Sequence, residues 1–168
     1  KLTINWSLLT ELDNLEKMQS LEDLNLSFNE INDFTSISKL HNLKRLELSS
    51  NQISDISFLS PLKNLEFLKI SSNKILDITP LKNLKSLKEL YIQGNPITEY
   101  KETIEELCKY NLTLLFVSDK ATSSISLKSD EWNPVYIKRR IVLTDYPEIP
   151  FSCNLVPVAI PTLYDEEG

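Results

Sequence analysis

The sequence predicts an α/β solenoid. It has a curved parallel β-sheet on the concave side, short 3-10 or helical turns on the convex side, a C-terminal helical cap and an irregular tail. Three observations predict it. First, Leu21, Leu43, Leu65 and Leu87 recur at intervals of 22 residues. Asn29, Asn51, Asn73 and Asn95 keep the same step, as do Ile31, Ile53, Ile75 and Ile97 and the acidic series Asp33, Asp55, Asp77 and Glu99. Columns that stay in phase over several turns of sequence are the mark of stacked coils. Second, apolar residues alternate within each unit, as at Leu46 and Leu48, which makes a short strand with one buried face. Third, the stretch after each Asn, such as 53–62, is too short for a long helix.

Each unit reads L-x-x-L-x-L-x-x-N-x-I-x-D, for example Leu43, Leu46, Leu48, Asn51, Ile53 and Asp55. The Asn ends the strand where the backbone turns inward. Its side chain both donates and accepts, so a stack of them satisfies turn N–H and C=O groups that no sheet reaches. The Asp that follows is placed to cap a single helical turn. Stepping back from Leu24, Leu26 and Ile31 lands on Leu2, Ile4 and Leu9, so a degenerate first repeat opens the chain. The expected boundaries are 1–99 for the repeats, 100–120 for a cap helix and last strand, and 121–168 for a linker and Pro-rich tail.

This motif resembles the leucine-rich-repeat family in its 22-residue form. The tight outer arcs, particularly Asp77, Pro80, Leu81 and Leu84, resemble the subclass shared by the phosphatase regulator Sds22 and bacterial internalins. The resemblance covers residues 1–117. It implies a non-enzymatic module that binds a protein partner on the concave face, with an Sds22-like regulatory or scaffold role and a cytoplasmic location. The alternatives are an internalin-like domain that is secreted or on the bacterial cell surface, and a structural domain of a larger protein.

Both ends of a solenoid expose apolar edges that need covering. At the C-terminal end, Gly94-Asn95-Pro96-Ile97 precedes Tyr100, Ile104 and Leu107, apolar at the spacing of an amphipathic helix with acids facing outward. Alternation at Leu112, Leu114 and Phe116 then suggests a last strand. This succession resembles the closing cap of Sds22-like proteins, whereas internalins usually continue into an immunoglobulin-like domain, for which the remaining residues are too few. Cys108 is expected beneath the cap helix. At the N-terminal end nothing precedes Leu2 and Ile4, and Lys1 is neither Met nor followed by a basic and apolar leader. A missing upstream cap, the tail, or homo-association through this edge would cover it, and Trp6 adds to its apolar area.

Residues 121–130 read as a Ser-rich linker. Beyond them lie five of the eight prolines, a β-rich stretch over 135–143 and an acidic end, with three basic and seven acidic residues in 130–168. Pro at such spacing excludes continuous helix and central strands. The apolar content favours a tail packed on the cap or on a partner over free disorder.

A net charge of -6 and a pI near 4.9 leave no basic surface for a nucleic-acid backbone. No apolar run is long enough to insert in a membrane. Cys108 and Cys153 make neither a disulfide framework nor a zinc site. The lone histidine, His41, falls in a turn without a second base, and with Gly94 and Gly168 as the only glycines no phosphate loop can be written. No catalytic residue, metal or cofactor is therefore expected.

In-register stacking sets the outward residues in columns along the concave face, about 4.8 Å apart. The first is Lys1, Asp23, Arg45, Phe67 and Glu89; the second Thr3, Asn25, Glu47, Lys69 and Tyr91; the third Asn5, Ser27, Ser49, Ser71 and Gln93. Asp23 beside Arg45, and Glu47 beside Lys69, either relieve like-charge repulsion or serve recognition. Phe67 and Tyr91 lie off the core face, and aromatics beside an Arg are common interface anchors. The candidate partner-binding residues are thus Asp23, Arg45, Glu47, Phe67, Lys69, Glu89, Tyr91 and Gln93. Trp6 and Phe28, which share one repeat position, form a second candidate patch.

Overall fold

The computed structural model describes residues 1–98, 101–110, 112, 114–116, 141–143 and 156–157. Among these, strands β1 (Leu2–Thr3), β2 (Asp23–Asn25), β3 (Arg45–Glu47), β4 (Phe67–Lys69), β5 (Glu89–Tyr91), β6 (Leu114–Phe116), β7 (Ile141–Leu143) and β8 (Val156–Pro157) form one sheet in chain order. All pairs are parallel. The register follows the repeat, with Leu24 opposite Leu46, Leu46 opposite Leu68 and Leu68 opposite Leu90. These four leucines, with Leu26, Leu48, Ile70 and Ile92 two residues on, are fully shielded from solvent and form the spine of the core.

Between strands the chain returns through 3-10 turns at Leu15–Lys17, Thr35–Lys39, Ser57–Leu59 and Thr79–Asn83. Each drives one apolar side chain into the core: Leu15, Ile37, Leu59 and Leu81. Asp33 accepts the Thr35 N–H at 2.8 Å, Asp55 the Ser57 N–H at 2.8 Å and Asp77 the Thr79 N–H at 2.7 Å. The capping role expected of the acidic column is therefore an Asx turn that reaches two residues ahead into the first helical residue.

Those bonds favour ionised Asp33 and Asp77. The Thr35 hydroxyl first, then its backbone N–H, holds Asp33 below its usual 3.8, and Thr79 does the same for Asp77. A carboxyl depressed in the folded state adds stability that is present above the unfolded value and is lost as pH falls through the folded one. Acid titration of the melting temperature should therefore show a decline that begins below about pH 4 and is shallower in an Asp33→Asn/Asp77→Asn double variant, whose amides keep the acceptor without the charge. Equal declines in the two proteins would remove these caps from the acid limb.

Helix α1 (Lys101–Cys108) closes the stack over the last 3-10 turn, burying Thr103, Ile104 and Leu107, with Lys82 bridging to Glu102 at 2.8 Å. Leu112, buried, follows it into β6. The tail departs from the expected irregular course at two places. Ile141–Leu143, the end of the β-rich stretch, pairs with β6, and Val156–Pro157 pairs with β7. Pro157 lies in β8, at the edge of the sheet among the described residues, where proline is best tolerated. The expectations for Glu99, Tyr100, the Cys108 side chain, Cys153, the 121–130 linker and the rest of the tail lie outside the described residues. No helix among the described residues is long and apolar enough to cross a membrane.

Candidate protein-binding face

The strand residues on either side of each core leucine look away from the core, and they bring Asp23, Arg45, Glu47, Phe67, Lys69, Glu89 and Tyr91 onto one face, all half-buried. The centre is a run of stacked groups across three strands. The Arg45 guanidinium carbon lies 3.5 Å from the centroid of the Phe67 ring, and the Phe67 and Tyr91 rings are 5.3 Å apart and tilted by 38°. A cation over an aromatic face is attracted by the ring quadrupole by about 0.5 to 1 kcal/mol at exposed sites. Arg45 also donates through Nη2 and Nε to Glu47 Oε1, at 2.7 and 3.0 Å. The stack is thus braced at one end by an ion pair. At the other end the Tyr91 hydroxyl donates to Glu89 Oε2 at 3.3 Å. Burial, and then the Glu89 carboxylate, push the Tyr91 phenol above its usual value, which keeps it a donor.

Two expectations change. The charges pair differently: Arg45 takes Glu47 from its own strand, and Asp23 takes Lys1 at 3.2 Å, in place of the pairs Asp23 with Arg45 and Glu47 with Lys69. Residues two apart on a strand share a face, and once Arg45 lies flat on Phe67 its fork is directed along β3. The serines of the third column are not a presented surface either, whereas Asn5 is exposed and Gln93 half-buried. Ser27, Ser49 and Ser71 are only 4 to 5% exposed, and Gln93 in the same column has a buried Oε1 without a partner among the described residues. The chain is already turning inward at these positions, towards the Asn side chains.

That turn recurs in every coil and has a backbone signature. Trp6, Phe28, Ser50, Ser72 and Gly94 occupy one repeat position, and all have positive φ, from 54° to 71°. Left-handed backbone suits Gly94, where a Cβ would also meet the Ser72 backbone at 3.1 Å. It is strained by about 1 to 2 kcal/mol at bulky residues. Gly94, one of two glycines and in phase with the other four, is the signal in the sequence from which this could have been found. The second candidate patch therefore rests on strained backbone: the Trp6 and Phe28 rings stack at 3.7 Å with 9° between planes and are 71% and 38% exposed.

The Asn column lies beneath. Asn73 Oδ1 accepts the N–H groups of Asn51 and Ile53, at 3.2 and 3.1 Å, while its Nδ2 donates to the Leu48 and Ile70 carbonyls, each at 3.0 Å. Asn29 serves Ser7, Leu9, Ile4 and Leu26 in the same way, and Asn95 serves Ile75, Ile70 and Ile92. Asn51 donates to Leu26 and Leu48, but its Oδ1 is buried without a partner among the described residues. His41 is exposed in its turn, and its carbonyl accepts from Asn64. Among the described residues, no group of three or more His, Cys, Asp or Glu is placed to hold a metal ion.

Parallel strands stacked at a 22-residue period over an Asn ladder, with 3-10 turns outside and a polar, aromatic sheet face inside, define a leucine-rich-repeat solenoid. The chain belongs to the leucine-rich-repeat family: the family described as "Leucine Rich repeats (2 copies)" matches residues 19–61, 41–83 and 63–109, which together take in more than half of the sequence. Among solved structures, an internalin (InlF) of Listeria monocytogenes is similar at 37% identity and TM-score 0.63, over 66% of this chain and 32% of that one. The functional domain of InlJ from the same species is 32% identical with a TM-score of 0.57, over 66% and 23%. A leucine-rich-repeat protein of Leptospira interrogans is 31% identical with a TM-score of 0.53, over 58% and 26%. The matched region spans a third or less of each of those chains. No curated protein matches.

Proposed function

We propose that this chain is a non-enzymatic interaction module that binds a protein partner on the concave face of β3–β5, as an internalin-like bacterial surface or secreted domain. The observation that carries this is the Arg45, Phe67 and Tyr91 stack, half-buried on the sheet face. Side chains fixed before binding lose little freedom on docking, which is what makes aromatic and Arg residues energetic anchors at interfaces. Similarity to two Listeria monocytogenes internalin structures supports the internalin-like kind. One observation favours the Sds22-like alternative: helix α1 closes the stack directly after Ile97, in the manner of the cap to which the sequence is similar.

Quantitative pull-down with mass spectrometry tests the face and separates the two kinds. Substituting Phe67 and Tyr91 by Ala should lower capture of the true partner by about thirtyfold or more, the effect of losing one interface hot spot of about 2 kcal/mol, with the melting curve close to that of the parent. Proteins exposed on another cell's surface in the depleted set support the internalin-like kind, and a soluble phosphatase supports the other. Undiminished capture by a folded double variant would move the site away from this face.

A further inference from the structure

Lys69 occupies the middle of the face, on β4 in register with Glu47 on one side and Tyr91 on the other. Two of the neighbouring carboxylates have cations: Glu47 is held by two N–H groups of Arg45 and Asp23 by Lys1, while Glu89 accepts the neutral Tyr91 hydroxyl and keeps its charge. Lys69 makes no ion pair among the described residues, and its Nζ stands 5.9 Å from the centroid of the Tyr91 ring. We propose that this face selects a partner segment carrying a carboxylate, seated on Lys69, next to an apolar side chain laid along Phe67 and Tyr91. This rests on the concave face being the binding surface, as proposed above.

The argument is one of desolvation. Any partner that covers Phe67 and Tyr91 also covers Lys69, already half-buried between them. Burying an ammonium without a counter-charge is strongly unfavourable, and no carboxylate, Glu89 included, stands within ion-pair distance of Lys69 among the described residues, while Glu47 Oε1 holds both Arg45 N–H groups. A carboxylate from the partner supplies that counter-charge. Among the described residues of this face Lys69 is the one cation without an ion pair, and one such charge suits one side-chain carboxylate and not a polyanion, which needs many cations to displace its counterions. The aromatic pair beside it sets the second requirement, an apolar neighbour within the same short segment.

A random-peptide display library panned against the whole chain tests this. Enriched peptides should share an Asp or Glu close to a large apolar residue. A synthetic peptide of that pattern should bind about tenfold or more weakly to Lys69→Met, more weakly still to Lys69→Glu, and nearly unchanged to Lys69→Arg. It should also lose affinity as ionic strength rises. Lys63→Glu, on an exposed turn, makes the same change in net charge and should bind as the parent does. Replacing the peptide acid by Lys should restore binding to Lys69→Glu.

If Phe67→Ala abolishes binding while Lys69→Met leaves it intact, or if the enriched peptides lack acids, the inference about the acid falls and the concave site stands. Peptides insensitive to both Phe67 and Lys69, or no enrichment at all, overturn both.

Discussion

Asn73→Leu is expected to destabilise the fold by about 4 kcal/mol, a large share of what an ordinary domain has. The cost comes from two particular groups. The carbonyls that Asn73 serves keep other donors, Leu48 from Asn51 and Ile70 from Asn95, but the buried N–H groups of Asn51 and Ile53 have Asn73 Oδ1 as their acceptor. Each orphaned buried donor costs about 1 to 3 kcal/mol. Asn51 provides the internal comparison. Its Oδ1 accepts nothing among the described residues, and the Leu26 and Leu48 carbonyls that it bonds also receive Asn29 and Asn73. Asn51→Leu should therefore cost clearly less than Asn73→Leu in urea melts, although the two asparagines are equivalent in sequence and equally buried. Equal losses would mean that the ladder acts through its carbonyl bonds or its volume, not through the two N–H groups.

Leu68→Ala should cost about 2 to 5 kcal/mol, the range for emptying a well-packed aliphatic site. Leu68 is wholly buried and its β4 register sets it between Leu46 and Leu90, so no solvent-side relaxation is available to shrink the cavity. Leu2 holds the same repeat position in β1 but is only partly buried, with a single strand neighbour. Leu2→Ala should cost about 1 kcal/mol or less, because truncating a partly exposed side chain removes less area and leaves no closed cavity. In a solenoid, stability is a sum over coils and their nearest neighbours, so the contrast measures how far the middle interfaces carry the stack. A loss at Leu2 equal to that at Leu68 would place the cooperative core at the N-terminal coil instead.

What was legible in the sequence follows from translation by a fixed step. Every coil repeats one local problem, so Leu24, Leu46, Leu68 and Leu90, the Asn column and the Asp column could be assigned from a single period, and the strand register with them. The apolar spacing of Ile104 and Leu107 likewise announced a helix with one buried face. The left-handed column was less visible, because four of its five members, Trp6, Phe28, Ser50 and Ser72, are residues that seldom adopt positive φ.

The candidate face was legible only as a list of columns. Which charges pair across it depends on side-chain geometry: once Arg45 lies on Phe67, its fork meets Glu47, and Lys69 is without an ion pair among the described residues. The burial of Ser27, Ser49 and Ser71 depends on where the backbone turns towards the Asn side chains. The tail strands depend on distant pairing, since β7 and β8 join the sheet at spacings that no longer follow the repeat. Hydrophobic periodicity alone thus determined the solenoid, because each coil buries its own leucines against a copy of itself. Only the tertiary structure decided which of the described outward groups pair with one another within the chain, because that depends on distances and directions between side chains of neighbouring coils.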